Sequence, residues 1–152
     1  MKICICVGRY DILHSGHFNM LTYARATIGV DGMVIVALDS DKRIRKADPM
    51  LPIIPQDIRR ENLRVLKFGS KQTPMVDKIV IFETNYQLES LVASYKADFI
   101  LKGSDWEHKR IIGSEHAPVK FYKADVNGVG EKISSSNIIK MVLEKYKKEV
   151  NE

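Results

Sequence analysis

Apolar runs alternate with amphipathic stretches along the whole chain. Residues 2–7 read as a strand. Residues 16–28 read as a helix, with Phe18, Leu21, Tyr23 and Ala24 near helical spacing and Gly29 at its end. Residues 32–38 form a continuous apolar strand, the pattern of a strand covered on both faces. A helix is predicted over 56–68, starting after Pro55, carrying Ile58, Leu63, Val65 and Leu66, and ending near Gly69. Strands follow at 78–82, 99–101 and 119–122, with a helix at 87–95 between the first two. Residues 134–148 form a terminal helix whose apolar side carries Ile138, Ile139, Val142 and Leu143.

Strand and helix in repeated alternation predict one α/β domain spanning residues 1–152. It is a Rossmann-like, doubly wound parallel sheet with helices on both faces. Such sheets bind ligands at the carboxyl ends of their strands. Functional residues are therefore expected at 8–17, 39–46 and 102–105. The longest irregular stretch, 41–55, carries three prolines and reads as a mobile lobe over the site.

Composition narrows the function classes. The chain has 152 residues, 45% hydrophobic and 28% charged, as expected of a soluble globular protein. No apolar run approaches the ~20 residues of a membrane span, and the short apolar start reads as a strand and not as a signal peptide. A cytoplasmic protein with no membrane partner is expected. Cys4 and Cys6 are the only cysteines, and as neighbours on one face of a strand they read as buried reduced thiols. The net charge of +5 suits a polyphosphate site as well as a solvated surface. No recognition helix, RNA-binding aromatic motif or zinc finger points to nucleic acid.

The chemistry concentrates in Gly8-Arg9-Tyr10-Asp11-Ile12-Leu13-His14-Ser15-Gly16-His17. A strand ends at Val7, Gly8 lets the backbone turn, and a helix begins at about Ser15. The positive end of that helix and its N–H groups attract anions. Two imidazoles three residues apart add four ring nitrogens that can donate to phosphate oxygens. Gly16 between them admits a polyphosphate closely. Metal ligation would need a third ligand, which the sequence does not supply.

This segment resembles the Gly-x-(Phe/Tyr)-Asp-x-x-His-x-Gly-His motif of the HxGH nucleotidyltransferase superfamily. Two further segments extend the resemblance over essentially the whole chain. Lys102-Gly103-Ser104-Asp105-Trp106 is similar to the Lys-Gly-Gly-Asp-(Tyr/Trp) segment of the heptose-phosphate and glycerol-phosphate enzymes. Ile133-Ser134-Ser135-Ser136 is similar to their Ile-Ser-Thr-Thr segment, at a helix start where serine also caps.

The resemblance implies attack by a substrate phosphate on the α-phosphorus of a nucleoside triphosphate, with pyrophosphate leaving. It places His14 and His17 on phosphate oxygens, Lys46 over the triphosphate, and Arg59 on the acceptor phosphate or pyrophosphate. Gly8, Arg9, Tyr10, Asp11, Gly16, Lys102, Gly103, Asp105, Ile133, Ser134, Ser135 and Ser136 are expected to bind the nucleotide. Asp11 either ties the loop backbone or helps hold Mg²⁺ through water. The Mg²⁺ cofactor is expected to arrive on the triphosphate, with no direct protein ligand. Trp106 is either core packing or a wall of the acceptor pocket. His108 and His116 read as solvated. A homodimer is implied by the resemblance alone.

For the substrates, residues 40–59 and Ile111–Glu115 resemble the heptose 1-phosphate adenylyltransferase. Asn127–Lys132 stands where cytidylyltransferases carry Arg-Thr-x-Gly, which argues against CTP. Adenylyl transfer to a sugar phosphate such as D-glycero-D-manno-heptose 1-phosphate is the first expectation. Cytidylyl transfer to glycerol 3-phosphate, which Asp105-Trp106-Glu107 resembles, is the second. A non-catalytic nucleotide-binding module is the third.

Overall fold

Five apolar segments of the chain assemble into one parallel sheet: β1 (Ile3–Gly8), β2 (Met33–Asp39), β5 (Lys78–Phe82), β6 (Phe99–Gly103) and β7 (Val119–Tyr122). A computed structural model describes residues 1–123 and 133–150. The Asn127–Lys132 segment, which bears on the choice of base, lies outside the described residues. Strand order is β5-β2-β1-β6-β7, and every adjacent pair is parallel. Ile5 stands between Ile35 and Ile100 in register.

Alternate residues of each strand feed opposite faces, the period-2 consequence of the pleat. Cys4, Cys6, Val34, Val36 and Leu38 pack under Leu21, Ala24 and Ile28 of α1 (Ser15–Ile28) and Leu63 of α3 (Gln56–Arg64). Ile5, Val7, Ile35 and Ala37 pack on the other face against Leu88 and Val92 of α4 (Asn85–Tyr95). Both faces are covered, so the central strands read as unbroken apolar runs. The cysteines are free and buried, with sulfurs 3.7 Å apart.

Three boundaries differ from the sequence pattern. The 41–55 stretch is not an irregular lobe. It opens with helix α2 (Asp41–Ala47), capped by the Ser40 hydroxyl, which accepts from the Arg43 N–H. Only Ile44 of that helix is buried, too little for an apolar period to reveal it. The helix expected over 56–68 stops at Arg64. Leu66 and Phe68 instead pack on the core as the chain turns into the short antiparallel pair β3 (Lys67–Phe68) and β4 (Thr73–Pro74). α4 starts at Asn85 because Thr84 and Gln87 form a reciprocal capping box. The terminal helix α5 (Ser135–Val150) buries Ile138 and Ile139 only in part and leaves Met141, Val142, Leu143 and Tyr146 exposed.

A buried cation ties α1 to the sheet. The Arg25 guanidinium is fully buried and pairs with Asp77 while donating to the Gly32 and Gly29 carbonyls. The knot also includes β2, since Asp77 accepts from the Val34 N–H. Asp77→Ala strands that cation without its counter-charge, and the expected loss is about 3 kcal/mol of unfolding free energy, measured as a lower urea midpoint.

Candidate active site

The chain leaves β1 at Gly8 and reverses through Tyr10, which takes a left-handed conformation at φ 47°. The Tyr10 ring folds back beneath the loop and is buried. A Cβ at Gly8 would meet that ring at 3.0 Å, so any larger residue there would have to push the Tyr10 ring aside. Asp11 is buried too, and its two carboxylate oxygens accept the N–H groups of Ile53 (2.9 Å) and Ile54 (2.8 Å). Of its two expected roles, tying backbone is the one its contacts show. It also anchors the far end of the 41–55 stretch.

His14 and His17 cap α1 reciprocally. His14 is the N-cap residue, and its Nδ1 accepts the Gly16 N–H at 3.1 Å. His17 Nδ1 accepts the His14 N–H at 3.3 Å. The ring centroids lie 4.0 Å apart, and Tyr10 backs His17 at 5.2 Å. A Cβ at Gly16 would come within 2.8 Å of the His14 ring, so that glycine makes room for the imidazole. This arrangement revises the sequence expectation of four donating ring nitrogens. Two of the four are acceptors inside the cap, which assigns the proton of each neutral ring to Nε2. Of the first-turn N–H groups expected to face an anion, that of Gly16 is engaged by the His14 ring. No acidic residue sits in the first turn of α1, whose dipole favours negative charge there.

Burial, with the neighbouring His14 ring second, pushes the His17 imidazole down to about 4 from its ordinary 6.5. It is therefore neutral at physiological pH and keeps its Nε2–H.

Both histidines line a cavity of about 210 Å³ at the carboxyl ends of β1 and β6. Gly8, Arg9, Tyr10 and Gly16 contribute to it from the first loop, and Gly103 and Asp105 from the end of β6. Ile133, Ser134 and Ser135 close it. Ser134 caps α5 by accepting the Asn137 N–H, and Ser135 donates to the Ile12 carbonyl at 3.0 Å. The serine segment is thereby fastened to the histidine loop across 123 residues of sequence. Ser136 is exposed and does not line the cavity.

Lys102, at the end of β6, places its ammonium 3.9 Å from the centre of the Trp106 ring, with Lys109 on the same ring at 4.8 Å. Burial pushes Lys102 down to about 8 from 10.5. Asp39 opposes that shift, while Arg43, Arg9 and Lys109 add to it. Trp106 is 41% exposed and is not a core residue, and neither it nor Lys102 lines the histidine cavity.

Two expected phosphate ligands are placed differently. Arg59 is fully buried. Its guanidinium donates to the carbonyls of Ile54 (2.8 Å), Arg9 (2.7 Å) and Asp39 (2.9 Å) and to the Asp41 carboxylate (2.8 Å). It braces the loops beneath the site and does not line the cavity. Lys46 is exposed in the last turn of α2 and lines neither of the cavities at this edge of the sheet. The sequence reading also missed three lining residues, the first of them Val7 near the end of β1. Met20 follows His17 by one helical turn and so shares its face, and Tyr122 ends β7 at the carboxyl edge. Among the described residues, no three His, Cys, Asp or Glu side chains group as a metal site, and no helix is long and apolar enough to cross a membrane.

The sheet's strand order reverses between β1 and β6, and the histidine cavity opens at that reversal. That is the place where open α/β sheets of the Rossmann type bind nucleotides. Comparison with known proteins gives the family: the model of the cytidylyltransferase-like family matches residues 5–141. The chain belongs to that family and is a nucleotidyltransferase. It is 30% identical over 146 residues to the bifunctional protein HldE of Pelobacter propionicus, covering 95% of this chain and 28% of that protein. To the bifunctional protein HldE of Helicobacter pylori strain G27 it is 33% identical over 143 residues, 93% of this chain and 27% of the relative. The chain thus spans little more than a quarter of the length of these relatives. A crystal structure of the lipopolysaccharide core biosynthesis protein from Thermoplasma volcanium shares the fold. It has a TM-score of 0.59 at 23% identity and covers 81% of this chain and 95% of that one.

The neutral His17 has a consequence for stability. Its folded-state pKa is depressed, so below pH 6.5 the unfolded chain takes up a proton that the folded protein refuses until about pH 4. Stability is expected to fall across that window by on the order of 2–3 kcal/mol. His17→Gln removes that part of the slope in urea midpoints measured from pH 7 to pH 4.

Proposed function

We propose that the domain transfers AMP from ATP to a sugar phosphate such as D-glycero-D-manno-heptose 1-phosphate and releases pyrophosphate. The observation that carries this reading is the histidine pair, whose Nδ1 atoms are held by the cap and whose neutral rings carry their protons on Nε2 at the wall of the cavity. A phosphate oxygen of the acceptor forms a bond to the α-phosphorus. The bond from that phosphorus to the bridging oxygen breaks, and pyrophosphate leaves with the electron pair. His14 and His17 donate Nε2–H to the α- and β-phosphate oxygens as negative charge builds on them. No proton has to be moved, so a ring that burial keeps neutral, as His17 is, suits the task.

Arg59 acts as a positioning residue that sets the Arg9 loop, Arg9 supplies positive charge in the histidine cavity, and Lys102 adds charge from the end of β6 without lining it. Mg²⁺ is proposed to enter on the triphosphate and to neutralise part of its charge. Preference for ATP and a sugar phosphate rests on the resemblance of residues 40–59 and 111–115 to the heptose enzyme. Asp105-Trp106-Glu107 favours the second reading, cytidylyl transfer to glycerol 3-phosphate.

A pyrophosphate-release panel crossing ATP, CTP, GTP and UTP with heptose 1-phosphate, glycerol 3-phosphate, FMN and phosphopantetheine tests the assignment. The expected result is release with ATP and heptose 1-phosphate. Release with CTP alone overturns the base, and saturable ATP binding without release in any pair makes the domain a binding module. His17→Ala is expected to lower kcat by about 10²–10³; an unchanged kcat removes the histidines from the mechanism. Lys102 carries its charge only below its pKa of about 8. Accordingly kcat/KM is expected to decline as pH rises through about 8, and Lys102→Arg, which stays charged, to abolish that decline.

A further inference from the structure

Two cavities open at the carboxyl edge of the sheet, the histidine cavity and one of about 500 Å³ between the ends of β2 and β5. Beyond Ser135, α5 lines neither of them. Its 16 residues carry an apolar surface that the transfer step does not use. Ile138 and Ile139 are half-buried, and from Lys140 to Glu149 every residue is exposed. Val142, Leu143 and Tyr146 are 52%, 56% and 66% exposed.

Helical spacing gathers these apolar residues. At ~3.6 residues per turn, Ile138, Ile139, Val142, Leu143 and Tyr146 share one arc of about 140°. Lys140 and Lys147 border that arc on one side and Lys145 on the other, while Glu144 and Lys148 lie opposite it. Met141 extends the apolar surface beyond Lys145, and Glu149 enters the arc only in the last turn. The exposed part, 140–149, is shorter than the ~12–15 residues an isolated helix needs in water. Packing of its apolar stripe must therefore supply much of its stability.

The lysine borders select what covers the stripe. A second copy of the helix would set lysine against lysine in either orientation, because both edges carry the same charge. A protein groove would need acidic rims on both sides. An anionic lipid surface offers negative charge all round and an apolar interior beneath it. The stripe can sink there while lysine stems on both sides reach up to the headgroups. Tyr146 has the apolar ring and polar tip that suit that depth. Four lysines against two glutamates in the helix, and +5 on the whole chain, make the attraction to such headgroups net favourable. The sequence expectation of no membrane partner rested on the lack of a spanning run. No helix among the described residues is long and apolar enough to cross a membrane, and a helix lying in the surface needs no such length.

We propose that α5 docks on an anionic phospholipid surface, lying in its plane with Val142, Leu143 and Tyr146 inward. Ser135 of the same helix donates to the Ile12 carbonyl, so docking holds the histidine loop beside the membrane. Co-sedimentation of the full chain with vesicles tests this. Binding is expected to vesicles of equimolar phosphatidylcholine and phosphatidylglycerol, and to be at least about tenfold weaker to phosphatidylcholine alone. It is expected to be lost in Val142→Ser/Leu143→Ser/Tyr146→Ser. In Lys140→Gln/Lys145→Gln/Lys147→Gln it is expected to fall at least about tenfold. All six side chains are exposed, so the α/β body is expected to keep its urea midpoint in both variants. No binding to anionic vesicles, equal binding to both lipids, or full binding by the serine variant overturns the proposal. A concentration-dependent dimer that the serine variant abolishes, without vesicle binding, assigns the stripe to a second copy and also overturns it.

Discussion

The buried Arg59 guanidinium is the constraint on which the functional edge of this domain depends. An uncompensated cation at that depth would cost several kcal/mol. Here it is met by the Arg9, Asp39 and Ile54 carbonyls and the Asp41 carboxylate. Those partners come from the loop after β1, the end of β2, the start of α2 and the approach to α3. One planar group with a rigid fork of donors therefore sets four chain segments in a single relation. Asp11 complements it with the opposite charge, holding the Ile53 and Ile54 N–H groups from the histidine loop. Both cavities are built on the frame these two residues make.

Within that frame, the histidine pair serves two ends at once. Each ring gives Nδ1 to the helix cap, which stabilises the start of α1 and determines the tautomer. The same bonds leave the proton on the far nitrogen, where a phosphate oxygen can be met. Protonating either ring at Nδ1 would break the cap, and burial already disfavours the charged form of His17. Structural and chemical demands thus favour the same neutral state. The parallel sheet adds the spatial order, because its strand order reverses beside β1 and its carboxyl ends present both clefts on one edge.

Much of this was legible in the residues. The central strands β1 and β2 could be read because strands covered on both faces must be apolar throughout. The start of α1 could be read because glycine, a short polar run and a helical period coincide there. The pairing of His14 with His17, and of both with Gly16, lies within one turn of helix. Local sequence therefore dictates it, and the Cβ contact at Gly16 gives its steric reason. α2 was not legible, since a helix with one buried residue has no apolar stripe. The overshoot of α3 has the opposite cause: Leu66 and Phe68 continue an apolar pattern but reach the same core from an extended turn.

What the sequence by itself determined was the fold class, the edge of the sheet that carries the chemistry, and the residues at its centre. Each follows from period, turn chemistry or a motif contained in about ten residues. Only the tertiary structure decided what those residues do there. Arg59 reads in sequence as a surface or phosphate-binding arginine, because nothing local shows that four acceptors from distant segments surround it. Lys46 reads as a phosphate ligand, yet the turns of α2 present Lys42 and Arg45 to a cavity instead. Ser135 meets Ile12 across 123 positions, and Gln56 and Gln87 come to one wall from separate helices. Convergence of that kind depends on how elements pack, and packing is a property of the whole chain.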